Sequence, residues 1–167
     1  MALLLHFENA CFKEETFNAM CLEATTSNQL NCGWTKYFNL LMKAFTFMPS
    51  RIEPLILIGE HYYNSGNYIV AFMFIHFACR HAVPDVIMSL NQLVWEYDRW
   101  RMLALVCFQL GTNNEDLFKA GQEALEVAIE GGRKLGHENP QDIELQELFK
   151  KSESKIPIKT NMELKTV

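Results

Sequence analysis

Few residues of this 167-residue chain stand at spacings that chemistry requires. His76 and Cys79 are three apart, so a helix would place them on one face. With Cys107 they form the nearest approach to a metal or thiol cluster. A tetrahedral zinc site needs a second pair of ligands, and no such pair is spaced for it. Core packing is the reading these residues favour. Glu60-His61 is the next candidate, for acid–base work. Neighbours on a helix point about 100° apart, so the two do not converge on one reacting atom. No Ser or Cys is placed beside a base as an activated nucleophile. These spacings imply no catalytic group, no metal and no cofactor, and the chain reads as a non-enzyme.

Composition narrows the classes further. Lys and Arg number 15 against 20 Asp and Glu, giving a net charge of −5 and a pI near 5.5. A nucleic-acid-coating role needs a basic face, so this charge balance argues against a nucleic-acid partner. Apolar residues make up 49% and charged residues 21%, which is globular rather than disordered composition. The five cysteines (Cys11, Cys21, Cys32, Cys79 and Cys107) are odd in number and form no C-x-x-C pair. That pattern suits reduced, buried cysteines of a cytosolic protein. The longest apolar run, Tyr68 to Cys79, is 12 residues and is interrupted only by His76. A membrane span needs about 20. Leu3-Leu4-Leu5 is too short for a signal-peptide core, and no lipidation motif is present. A soluble, cytoplasmic protein is expected.

Helical periodicity dominates. A first helix is expected over about Glu8–Thr25 and a second over Trp34–Phe47, with Asn31-Cys32-Gly33 turning between them. A third covers Ile52–Asn64, with Pro54 in its first turn. Gly66 turns the chain into a fourth helix, Tyr68–His81. That helix is apolar nearly all round, so it must be covered by its neighbours or by a second chain, as in a homo-oligomer. A connector with a short helix near Val86–Val94 leads to a fifth helix, Trp95–Leu110. Thr112-Asn113-Asn114 caps a sixth, which Gly131-Gly132 stops near Glu130. Asn139-Pro140 opens a seventh, ending near Lys151. Residues 1–151 thus form a helical domain. Residues 152–167 form a flexible Lys-containing tail. The acids of Glu115–Glu147 read as a solvated helix face.

Within the third and fourth helices, Leu55-x-x-Ile58-Gly59-x-x-Tyr62 and Ala71-x-x-x-Ile75-x-x-Ala78, closed by Pro84, follow tetratricopeptide grammar. Gly59 and Ala71 are small, so the two helices can approach closely. Trp100-x-x-Leu103-Ala104-x-x-Cys107, with Gly111, repeats the pattern more weakly after 45 residues. The longer run includes Arg51-Ile52-Glu53-Pro54-Leu55, Glu60-x-Tyr62-Tyr63, Gly66-Asn67-Tyr68-x-x-Ala71-Phe72-Met73-Phe74, Trp95-Glu96-Tyr97-Asp98 and Leu110-Gly111. It resembles the tetratricopeptide-like region found beside family-2 glycosyltransferase domains of giant DNA viruses and some bacteria. The resemblance covers about Arg51 to Gly111. It implies an all-α fold: a short right-handed helical-hairpin solenoid with a C-terminal capping helix. If the source is viral, the location is the host cytoplasm.

No transferase catalytic domain is expected within these 167 residues. Such domains commonly hold a divalent cation with a D-x-D pair. Asp85, Asp98, Asp116 and Asp142 include no two that are two apart. The resemblance therefore implies an architecture rather than a transfer activity, and a stand-alone relative of the accessory region. In such a solenoid the first helix of each hairpin lines a concave groove. The groove positions on the third helix are Glu53, Ile56, Leu57, Glu60, Tyr63 and Asn64. On the fifth they are Asp98, Arg101, Met102, Leu105, Phe108 and Gln109. The expected function is non-catalytic binding of a protein partner, as a peptide or a helix. Glu60, Tyr63, Asn64, Arg101, Leu105 and Phe108 are the contact residues: Tyr63 and Phe108 anchor, and Glu60 and Arg101 set register. The alternative is an accessory subunit of a separately encoded glycosyltransferase. A groove filled by the chain's own terminal helix is the simpler state against which both stand.

Overall fold

The computed structural model describes residues 2–85, 90–111 and 114–153, with backbone alone for 2–10. Among these residues there are seven α-helices, one π-helical turn and no strand. The helices are α1 (Ala2–Gln29), α2 (Trp34–Phe47), α3 (Glu53–Asn64), α4 (Tyr68–Cys79), α5 (Arg99–Leu110), α6 (Glu115–Lys134) and α7 (Pro140–Glu153). The π-helical turn, Val94–Asp98, runs directly into α5. Successive helices pack as pairs: α1 on α2, α3 on α4, and α5 on α6. Contacts of α2 with α3 and of α4 with α5 join the pairs.

The α3–α4 turn is made by its residue types. Gly66 takes φ 78°, Gly66 N donates to Tyr63 O, and Asn67 N donates to Tyr62 O. This satisfies the last carbonyls of α3, and the Asn67 side chain then caps α4 at Val70 N. Beyond the turn, Gly59 lets the helices close. A Cβ there would collide with Cδ1 of the fully buried Ile75.

Several helix boundaries differ from the sequence expectation. α1 begins earlier and ends later, at Gln29. α4 stops at Cys79 rather than His81. The fifth helix starts as the wider π turn. Gly131 and Gly132 do not stop α6, which runs on to Lys134. Both glycines are buried because the π turn lies on them: a Cβ on Gly131 would enter the Glu96 carbonyl, and one on Gly132 would meet His137 O and the Tyr97 ring. The stop is Gly136, at φ 67°, with His137 N donating to Gly132 O and Gly136 N to Arg133 O. α7 extends to Glu153, two residues into the expected tail; residues 154–167 lie outside those described, as do residues 86–89 of the expected helix near Val86–Val94.

The main core gathers Ile52, Leu55, Ile75, Trp95, Leu103, Cys107, Phe118, Leu125 and Phe149 from α3 to α7. A second cluster, Ala24, Tyr37, Leu41 and Ile58, joins α1 and α2 to α3. Each large side chain so buried contributes about 1.5–3 kcal/mol. Two arginines are drawn into the interior with partners. Arg51 pairs with Glu53 at 2.6 Å and lies over the Phe17 ring. Arg99 donates to His81 O at 2.9 Å and stacks on Trp95 and Trp100.

Candidate functional site

α3 and α5 touch, and a cavity of about 380 Å³ lies where the π turn meets them. Its lining is Glu53, Ile56, Leu57 and Glu60 from α3, Asn91 before the π turn, Val94 and Asp98 within it, and Arg101 and Met102 at the start of α5. The spacing of each contribution follows from helix geometry. Glu53, Leu57 and Glu60 are spaced four and three apart, and Arg101 and Met102 lie three and four residues beyond Asp98, so each set shares one face. Ile56, Leu57, Val94 and Met102 make an apolar floor, with acids and one Arg around it.

The charges are committed unequally. Glu53 is held by Arg51 Nε and Nη2. Arg101 turns away towards α7, donating from Nε to Asp142 Oδ1 at 2.7 Å and from Nη2 to Gln141 at 3.0 Å. Asp142 is 3% exposed, and its other carboxylate oxygen accepts from the Tyr97 hydroxyl at 2.8 Å. Asn139 donates to the same hydroxyl at 3.0 Å. Burial and the Asp142 bond push the Tyr97 phenol up to about 12. Glu60 is exposed and Asp98 half-buried. Burial raises the Asp98 carboxyl, and Glu60 adds to the rise, while His137 and Arg101 pull it down. The cavity is therefore an electronegative mouth over an apolar floor.

The expected contact residues separate. Glu60 and Arg101 both line the cavity, as do the further groove positions Glu53, Ile56, Leu57, Asp98 and Met102. Tyr63, Asn64, Leu105 and Phe108 lie outside its lining. Tyr63 packs on Tyr68 of α4 at 5.5 Å, and Asn64 is exposed at the end of α3. Leu105 packs against the main core, and Phe108 meets Phe149 of α7 edge-on at 5.0 Å. The terminal helix thus covers Phe108 on the far part of the α5 face through Phe149 and holds Arg101 on the near part, where Asp98 and Met102 still line the cavity. Asn91 and Val94 were not expected. Their only signal was the polar–apolar run just before Trp95, and the π turn that aims them is set by packing on Gly131.

The residues first considered for chemistry do not converge. His76 is exposed and stacks on Phe72, while Cys79 is buried and donates to Arg99 O. His61 stacks on Trp34 at 3.4 Å, away from the cavity lining to which Glu60 belongs. No group of three His, Cys, Asp or Glu that could hold a metal occurs among the described residues. No helix among them is long and apolar enough to cross a membrane. No protein-family model, curated protein or solved structure matches the chain.

Proposed function

We propose that this chain is a non-catalytic binding module that holds an extended or helical peptide in the α3–α5 groove. The helix pairs are read as a short right-handed tetratricopeptide-like solenoid capped by α7. The observation that carries the proposal is the cavity itself: an apolar floor with Glu60 and Asp98 at its mouth and the one lining Arg already bound to Asp142. A Lys or Arg side chain matches it, with its methylenes on Ile56, Leu57 and Met102 and its charge at the two acids. The same acids disfavour RNA phosphates. The run of motifs from Arg51 to Gly111 favours a glycosyltransferase as the protein that carries the peptide, and that is the second reading.

A positional-scanning library of 10-residue peptides, tested by fluorescence anisotropy against the full chain, checks the proposal. Peptides with Lys or Arg at one position should bind best, and binding should weaken with salt. Glu60→Gln and Asp98→Asn should each lower that affinity about 10-fold. Asp98→Asn should leave neutral-pH stability equal or higher. The raised carboxyl means the native state holds more protons than the unfolded chain, so an ionised Asp98 lowers stability as pH rises above its unfolded value. Binding that ignores basic residues, or survives both substitutions, overturns the proposal.

A further inference from the structure

We infer that the outer face of α4 is a two-fold self-association surface, where a second copy of this chain packs. Ile69, Met73 and Phe77 follow one another at four-residue steps, and they are 69%, 64% and 50% exposed. Val83, just beyond the helix, is 50% exposed. Isolated exposed apolar residues are ordinary, but a continuous row on one helix is not. Together these four side chains present roughly 400 Å² of apolar surface.

That area suits a dimer. Homodimer interfaces are about 65% apolar, so this row implies about 600 Å² per copy and about 1,200 Å² in all. The total reaches the lower bound of stable protein interfaces, which run about 1,200–2,000 Å².

Charge selects the occupant. No Asp, Glu, Lys or Arg occurs between Glu60 and Arg80. A two-fold axis sets the same surface of each copy against the other, and an uncharged row meets itself there without like-charge repulsion. The row is also an i, i+4 ridge, which packs into the matching groove of an identical helix. With the axis near Met73, Ile69 of one copy lies against Phe77 of the other. The helices before and after the α3–α5 run differ in sign: α2 exposes Lys36 and Lys43, whereas α6 exposes Glu123 and Glu126. Phe45 of α2 reaches Phe77 of α4 at 6.3 Å, and the α5–α6 pair packs on α4 through α5. If the pairs stack as proposed above, the axis brings basic α2 of each copy towards acidic α6 of the other; this charge match rests on that reading, whereas the apolar row does not.

Sedimentation equilibrium of the full chain over about 1–500 µM is the test, a range that covers micromolar self-association. The expected result is a reversible monomer–dimer transition, with mass rising from 19.4 kDa to twice that. Met73→Glu should weaken dimerisation at least about 100-fold, because it opposes two like charges across the axis. Its helicity and melting should match the wild type, as Met73 is already exposed. In a Cys32→Ser background, Met73→Cys should form an intermolecular disulfide with copper–phenanthroline as oxidant, and Val127→Cys on α6 should not. A chain that stays monomeric and uncrosslinked overturns the inference. So does a dimer that Met73→Glu leaves intact, or a monomer that binds neutral phosphatidylcholine vesicles through this face instead. None of these outcomes bears on the peptide groove, whose test reads binding at Glu60 and Asp98.

Discussion

Arg101 and Asp142, 41 residues apart in sequence, meet at 2.7 Å and tie α7 to the first turn of α5. The contact joins two cavities. Arg101 lines the α3–α5 groove, and Asp142 lines a second hollow of about 470 Å³ between α6 and α7. One ion pair thus sets the charge that the groove presents and the position of the helix that closes the fold.

Asp142→Ala should destabilise the protein by about 3 kcal/mol. It removes a carboxylate that is nearly fully buried and leaves both Arg101 and the Tyr97 hydroxyl without their acceptor. Urea unfolding measures the loss, and Asp142→Asn, which keeps one acceptor oxygen, should lose less. A midpoint for Asp142→Ala within error of the wild type would show that α7 is held by Leu145 and Phe149 alone.

Tyr97 should make the fold sensitive to alkali. Its phenol titrates near 10 when unfolded and at about 12 when folded. The native state therefore holds the proton more tightly, and this stability is complete below about pH 10 and lost as pH rises through about 12. Denaturant midpoints at pH 9 and 11.5 should fall further for the wild type than for Tyr97→Phe. Equal falls would assign the alkaline loss to other groups.

Two glycines should differ in their tolerance of a methyl group. Gly59→Ala presses on the tip of the Ile75 side chain and should cost about 1–3 kcal/mol. Gly131→Ala meets the Glu96 carbonyl, a backbone atom that cannot rotate away, and should cost at least about 3 kcal/mol. Thermal melting ranks them. The reverse order would mean that the π turn yields more easily than the α3–α4 contact.

The thiols should react in order of burial. Cys32 is exposed, whereas burial pushes Cys107 up to about 11 and Cys79 to about 12. Iodoacetamide at pH 8, followed by peptide mapping, should label Cys32 first and reach Cys79 and Cys107 only in denaturant. Early labelling of Cys79 would show that α4 and α5 part in the native state.

Local order was legible where the chain's own residue types decide it. The α2, α3 and α4 starts follow from Gly33, Pro54 and Asn67, and the close α3–α4 contact follows from Gly59 and the turn glycine Gly66. The R-x-E spacing of Arg51 and Glu53 turns out to be a local ion pair. Misreadings arose where a partner far along the chain decides. Gly131-Gly132 looks like a helix stop by propensity, yet it is the floor on which the π turn rests, so the helix continues to Lys134. Phe108 looked free to anchor a ligand because its neighbour, Phe149, is contributed by another helix.

By itself the sequence determined the helical class and the faces of each helix, because periodicity, capping and turn chemistry act within a few residues. It placed Glu60, Asp98 and Arg101 on groove-facing positions for the same reason. Which of them keep a free charge was decided by the tertiary structure alone. Arg101 is spent on Asp142 of α7, whereas among the described residues no such ion pair draws Glu60 or Asp98 away, and only the folded packing of α7 on α5 creates that difference.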